Sequence, residues 1–434
     1  MKELCARLSF WAFLLIWSWQ FVAHSAEASY EILIKGGTVI DPRNGIMGKR
    51  DVAISKGRIA AVGESLSSST AQKVIDAAGL YVTPGLIDIH AHLYATSGFR
   101  DAWAGDNSVL PDGFSFRTGV TTIIDAGSAG WRNFEDFRNR VIDRAQTRVF
   151  AFLNIVGLGM ISDVIEQNIK DMDPLATTVM AKKHGDVIIG IKTAHYQGPD
   201  WVPVERAVEA GSLANLPVMV DFGYFRQERP FFQLVTEKLR SGDIATHMYR
   251  GPVPFVNKNG RLYRYLEAAR QRGVKFDVGH GGGSFVFRNA APSVQTGFFP
   301  DSISTDLHAG SMNAGMMDMV TTMSKMLVLG VPLKEVIRES TLGPALIIRH
   351  PELGHLSVGA VADVAVLNLM SGHFGFVDAF GGKLEGTQRI FCEMTLKGGK
   401  IVWDWNALGA RDYRVLDEKY GVRDTDRIVL PEEK

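Results

Sequence analysis

Eight short apolar runs, each separated from the next by room for a helix, leave this chain few architectures. They are Gly85 to Ile89, Thr121 to Asp125, Val149 to Asn154, Val187 to Ile191, Pro217 to Val220, Ile244 to Thr246, Lys275 to Val278 and Ser302 to Thr305. Runs without polar alternation suit strands covered on both faces, as in parallel sheets flanked by helices. Eight of them predict an α/β fold, a (β/α)8 TIM-like barrel over residues 83–353. Two β-rich stretches with Gly and Asp-Pro turns, 29–82 and 354–408, predict one small composite β-sandwich built from both ends of the chain. The charged, irregular stretch 409–434 reads as a C-terminal extension.

Residues 1–28 read as an export signal. Lys2 and Arg7 precede an apolar run from Leu8 to Phe21, and Ala26-Glu27-Ala28 supplies a small-residue cleavage site. The run is short of the roughly 20 apolar residues a membrane span needs. A periplasmic or secreted protein with no stable membrane anchor after signal cleavage is therefore expected. Removing the signal leaves Cys392 as the one cysteine, which excludes an internal disulfide framework and a cysteine metal cluster. The 47 Lys and Arg balance 47 Asp and Glu, whereas a nucleic-acid partner would call for a basic excess. A small-molecule substrate is the expected partner, and a homo-oligomer is compatible with the composition.

Barrel enzymes carry their chemistry at the C-terminal ends of the strands. The first barrel strand ends in Asp88-Ile89-His90-Ala91-His92. Alternation along a strand sends His90 and His92 to one side, and paired imidazoles suit a divalent metal. The fourth ends in Gly190-Ile191-Lys192, where a buried ammonium needs a partner or a modification. The sixth ends in Thr246-His247 and the eighth in Ser304-Thr305-Asp306, although Asp306 alone also reads as a helix N-cap. After the seventh, the run Gly279-His280-Gly281-Gly282-Gly283-Ser284 either presents N–H groups to an anion or forms a tight turn. His280 and His308 are candidates for substrate binding, and Tyr249 and Arg250 for contact with a carboxylate. His184, His350, His355 and His373 receive no role.

Together with Gly36-Gly37-Thr38-Val39-Ile40-Asp41-Pro42, Pro84 to His92, Gly119-Val120-Thr121-Thr122 and Phe276 to Gly281, these segments resemble the amidohydrolase superfamily, in particular its dihydroorotase-like amidohydrolase/deacetylase branch. The resemblance runs from Ile32 to Val402. It implies two divalent cations, usually zinc. His90, His92 and Asp306 would hold the first and His247 the second. Lys192, converted by carbon dioxide to a carbamate, would bridge them. One position departs from the pattern. The fifth strand usually ends in histidine, whereas this chain reads Met219-Val220-Asp221. Asp221 remains a metal ligand by chemistry, and its charge would favour manganese over zinc; otherwise the second cation binds weakly or is absent. His195, soon after Lys192, could substitute but reads as a loop histidine.

The chemistry implied is attack by a metal-bridged hydroxide, with Asp306 as catalytic proton carrier. No G-x-S-x-G elbow points to a serine nucleophile. The expected activity is hydrolysis of a non-peptide amide or ester bond in a small acylated substrate, a deacetylase reaction. Two alternatives stay open: a cyclic-amide hydrolase of the dihydroorotase or hydantoinase kind, and a metal-poor binding protein inactivated through Asp221. Export weighs against a role in pyrimidine synthesis.

Overall fold

The computed structural model describes residues 30–221 and 226–427. Its first part is a set of hairpins: β1 (Tyr30–Asp41), β2 (Ile46–Ser55) and β3 (Arg58–Gly63) pair antiparallel in sequence. β4 (Ala71–Asp76) and β5 (Tyr81–Pro84) each run parallel to β1. Seven strands then form a curled parallel sheet in chain order: β6 (Leu86–Ala91), β7 (Val120–Gly130), β8 (Arg148–Asn154), β9 (Ile188–Thr193), β10 (Val218–Val220), β11 (Ile244–Ala245) and β12 (Lys275–Phe276). β13 (Val364–Val377), β14 (Lys383–Lys397) and β15 (Lys400–Asp404) complete the strands as antiparallel neighbours.

The two ends of the chain share one eight-stranded sheet, with β4 branching from β1. β5 pairs with β1 and also, antiparallel, with β13, so the terminal segments meet edge to edge through backbone hydrogen bonds. Periodicity identifies such strands without naming their partners.

The helices between the parallel strands start and stop on legible signals. Asp173 accepts from the N–H groups of Leu175 and Ala176 ahead of Pro174–Lys183, with proline in the first turn. Asn215, in the left-handed region at φ 55°, ends Val202–Ala214. Helices of this length are marginal alone and are held by their apolar faces, here Val204, Ala207 and Ala210. Within the curled sheet, Ile87, Ile89, Ile124, Phe152, Ile189, Met219 and Ile244 join one apolar cluster. Each contributes about 1.5–3 kcal/mol by burial, and Met219 touches Lys192, so the polar site rests on this cluster.

The eighth strand candidate is irregular. Single parallel bridges, Asp277 to Ser302 and Ala91 to Leu307, set residues 302–307 beside both outer strands of the curled sheet. Side chains compete with a regular ladder there: Ser302 and Ser304 donate to Asp277, and Thr305 donates to Asp88. Among the described residues no helix is long and apolar enough to cross a membrane. The expected signal, residues 1–28, lies outside the described residues.

Candidate metal centre

β6 and the 302–307 segment bring His90, His92 and Asp306 together, with ligating atoms within 4.8 Å of one another. Asp306 Oδ1 lies 3.1 Å from His92 Nε2 and 3.6 Å from His90 Nε2. Each imidazole is tethered through its other nitrogen: His90 Nδ1 is 2.9 Å from Thr246 Oγ1, and His92 Nδ1 is 3.0 Å from Ser128 Oγ. Thr246 Oγ1 gives its own proton to Asp277, so it accepts from His90 Nδ1 and leaves the Nε2 lone pair facing Asp306. Burial, helped by Lys192, pushes His90 down to about 3, which keeps that nitrogen unprotonated. Burial alone would raise Asp306, but His90, His92 and His308 outweigh it and hold its carboxyl well below the usual range.

Two imidazole nitrogens and a carboxylate oxygen converging at these separations suit a positive charge among them. Asp306 Oδ1 is buried and makes no hydrogen bond of good geometry within the described residues. Two nitrogens and one carboxylate oxygen are also a donor set for a divalent cation. These residues fit a metal.

Lys192, at the end of β9, is fully buried. Its Nζ has His90 Nε2 at 3.1 Å and Met219 Sδ at 3.7 Å. Burial drives its pKa down, against the pull of Asp221, Asp306, Asp277 and Asp125.

Asp221 follows β10 and forms the centre of a second group. Its Oδ2 lies 3.1 Å from His247 Nε2 and 3.3 Å from His195 Nε2, and Arg250 Nη1 donates to its Oδ1 at 3.2 Å. Burial opposes the charge on Asp221, but His247 and His195 prevail and hold it well below the usual carboxylate range. His247 Nδ1 donates to Gly279 O at 2.5 Å, and His195 Nδ1 lies 2.9 Å from Oε2 of the buried Glu166. The histidine read as a loop residue thus stands on the carboxylate that marks the departure at the fifth strand. Its signal was position: β9 ends at Thr193, so residue 195 still belongs to the mouth of the sheet. His195, His247 and Asp306 all have left-handed backbones, with φ of 55°, 58° and 50°. Each such residue costs about 1–3 kcal/mol, a strain that clusters at functional sites.

The remaining candidates divide. His308 Nδ1 accepts from the N–H groups of Gly310 and Ser311, so Nε2 carries the ring proton. That Nε2 is buried and makes no hydrogen bond within the described residues, while burial pushes the ring down to about 4. It is a neutral donor ready for an acceptor. Trp103, which the sequence did not single out, lies with its ring 4.2 Å from His308, 5.0 Å from His92 and 5.8 Å from His195. It comes from an aperiodic loop and walls the histidine cluster.

His280 has other partners than the expected substrate. Its Nδ1 donates to Gly281 O at 2.8 Å, its Nε2 accepts a hydrogen bond from Lys325 Nζ at 2.7 Å, and its ring stacks on Phe285. Tyr249 is likewise core, packed against Phe255 and Phe285. The glycine run makes room for the site. A Cβ on Gly281 would stand 2.3 Å from Asp306 Oδ2, and one on Gly279 would stand 2.8 Å from His247 Nδ1. Asp88, quoted with its motif but given no role, accepts from the N–H groups of His90 and Thr305. It ties β6 to the segment bearing Asp306, and burial raises it to about 7.

Models of the amidohydrolase family match residues 73–128 and 286–402. A deacetylase of Agrobacterium fabrum is 34% identical over 345 residues, covering 77% of this chain and 82% of that protein. The chain belongs to the amidohydrolase family. A solved adenine deaminase resembles this amidohydrolase at a TM-score of 0.78 and 27% identity, over 87% of this chain and 100% of its own. A solved dihydroorotase gives 0.73 and 29%, over 86% and 99%. This amidohydrolase is accordingly a metal-dependent hydrolase of carbon–nitrogen bonds in small molecules, and its structural neighbours are barrel enzymes.

Proposed function

We propose that this amidohydrolase is an exported deacetylase that cleaves a small N-acyl or O-acyl substrate at a paired-cation site. The observation that carries the reading is the His90–His92–Asp306 cluster opening toward the free N–H of His308, in a chain similar to a deacetylase over most of its length. Residues 302–307 act as the eighth strand and close the barrel. The signal in residues 1–28 directs the protein to the periplasm or beyond.

His90, His92 and Asp306 would hold one cation, and His247 with Asp221 the other. Lys192 would join them as a carbamate: its neutral amine adds to carbon dioxide, forms the N–C bond and releases a proton. When bound, the cations supply Lewis acidity and lower the pKa of water. Asp306 serves as the proton carrier, taking a proton from the attacking water on a carboxylate oxygen and handing it to the leaving nitrogen or oxygen. His308 Nε2 donates to an oxygen of the substrate and orients it. Trp103 covers the histidines and limits water.

The test is a panel of N-acetyl and O-acetyl amino and hydroxy acids against cyclic imides, run with metal analysis on the purified protein. Turnover of the acetylated compounds is expected. Turnover of cyclic imides alone would establish the dihydroorotase-like alternative. Well under one metal per chain with no turnover of either class would leave a binding protein.

A further inference from the structure

We infer that His195 supplies the imidazole that the fifth barrel strand lacks, so that the second cation is held by His195, His247 and Asp221. This rests on the metal-dependent reading above and fixes its second half.

Convergence is the first ground. His195 and His247 come from different strand ends, yet their Nε2 atoms approach the same oxygen, Asp221 Oδ2, at 3.3 and 3.1 Å. The tether is the second. A metal-binding histidine usually donates its other ring N–H to a carboxylate, a carbonyl or a hydroxyl, which fixes ring and tautomer. His90, His92 and His247 do so through Thr246, Ser128 and Gly279 O. His195 does the same through Glu166 Oε2 at 2.9 Å. His308 breaks the pattern, because its Nδ1 accepts and its Nε2 carries the proton.

Glu166 is the third ground. It is fully buried, and its Oε1 has no hydrogen-bond partner within the described residues. A carboxylate is costly to bury, and a salt-bridged pair on its own is weak compensation. A task for the imidazole it orients accounts for its place. The backbone of His195 is held too, since Gln167 Nε2 donates to its carbonyl at 3.0 Å.

Two donor sets of like composition result, each with two imidazoles and one carboxylate: His90, His92 and Asp306, whose ligating atoms all lie within 4.8 Å of one another, then His195, His247 and Asp221, joined through Asp221 Oδ2. This revises the expectation from sequence. Asp221 alone would make the second site rich in oxygen and favour manganese, whereas His195 restores the nitrogen count and with it a preference for zinc.

The experiment counts cations on the purified full-length chain, dialysed against buffered zinc, by elemental analysis. The d–d absorption of cobalt(II)-substituted protein reports the donors. The forms compared are the parent, His195→Ala, Glu166→Gln and the double variant His195→Ala/Asp221→His, with circular dichroism as the check on folding. The parent should hold two cations. His195→Ala should keep one and lose the other, and the double variant should recover it, because strand five again offers an imidazole. Glu166→Gln leaves the ligand but loosens its tether, and should weaken the second cation by roughly 10–100-fold.

Two cations on His195→Ala at parental affinity would overturn the inference and leave the metal-dependent reading standing. So would a double variant that folds but recovers nothing, since His195 would then be structural. Should His195→Ala fail to fold, parental affinity in Glu166→Gln would overturn it as well. A parent without cations overturns the metal-dependent reading itself.

Discussion

Lys192 and Lys325 are both fully buried, and each directs its amine at the Nε2 of a histidine. Their surroundings differ. Lys325, on the helix Met319–Val328, donates to His280 Nε2 at 2.7 Å, to Val377 O at 2.7 Å and to Gly315 O. Three acceptors complement the three donors of an ammonium. Among the described residues Lys192 has one imidazole and a thioether sulfur, while the carboxylates that act on it, Asp221 and Asp306, make no hydrogen bond to it. Burial therefore does not separate the two lysines. The number of satisfied donors does. Lys325 clasps the 280, 315 and 377 segments together, whereas Lys192 has bonding capacity to spare, as a group destined for modification would.

Lys192→Ala should have the largest effect. Activity on the identified substrate is expected to fall on the order of 10³-fold in kcat/KM, the scale of losing a principal catalytic group. Short carboxylic acids should restore part of it by filling the space of the carbamate. Thermal stability should hold or rise, because an underpaired buried amine disappears. Full activity in the alanine variant would remove Lys192 from the site chemistry and erase its contrast with Lys325.

Lys325→Met should show the opposite pattern. It strands the buried Nε2 of His280 and two part-buried carbonyls, so a loss of about 1–3 kcal/mol in urea unfolding is expected. Cation content should stay at the parental value. A variant that unfolds normally but loses metal would place Lys325 in the site and undo the comparison. A double-mutant cycle with His280→Gln sharpens it further: the two side chains touch, so their coupling should reach about 1–2 kcal/mol. A coupling near zero would mean that the two carbonyls, and not His280, hold the amine.

The half of the site that the sequence displayed is the half written in contiguous stretches. His90 and His92 share one strand end, and Lys192, His247 and Asp306 each close an apolar run. The other half depends on partners brought together by folding. Glu166 and His195 lie 29 residues apart, and His280 and Lys325 lie 45 apart. No local pattern announces either pair. Lys325 sits in the middle of a helix, where a lysine ordinarily signals a solvated face. The fold shows the same division. Seven parallel strands were readable as apolar runs, but the merging of both chain ends into one sheet depends on β5 pairing with β13. Hydroxyls drawn to Asp277 and Asp88 made the eighth run irregular, a competition that apolar periodicity does not register.

The smallest expected effect is a slope. Burial lowers Lys325 to about 7, reinforced by Arg389 and opposed by Asp378 and Asp318. The unfolded chain returns it to about 10.4. Between those values the unfolded state binds more protons than the folded one, so stability should rise with pH across this window. The cost of charging Lys325 in its pocket is felt in full below pH 7 and is relieved above it. Unfolding free energies of the parent and of Lys325→Met, measured from pH 6.5 to 9.5, isolate the effect, because Lys192 and the carboxylates are common to both and cancel. The parent should gain on the variant by at most about 1.4 kcal/mol per pH unit, the value for one proton. A flat difference would show that the three acceptors outweigh burial and keep Lys325 charged throughout. The two lysines would then differ in charge as well as in partners, one an ammonium locked in the scaffold and the other an amine free to react.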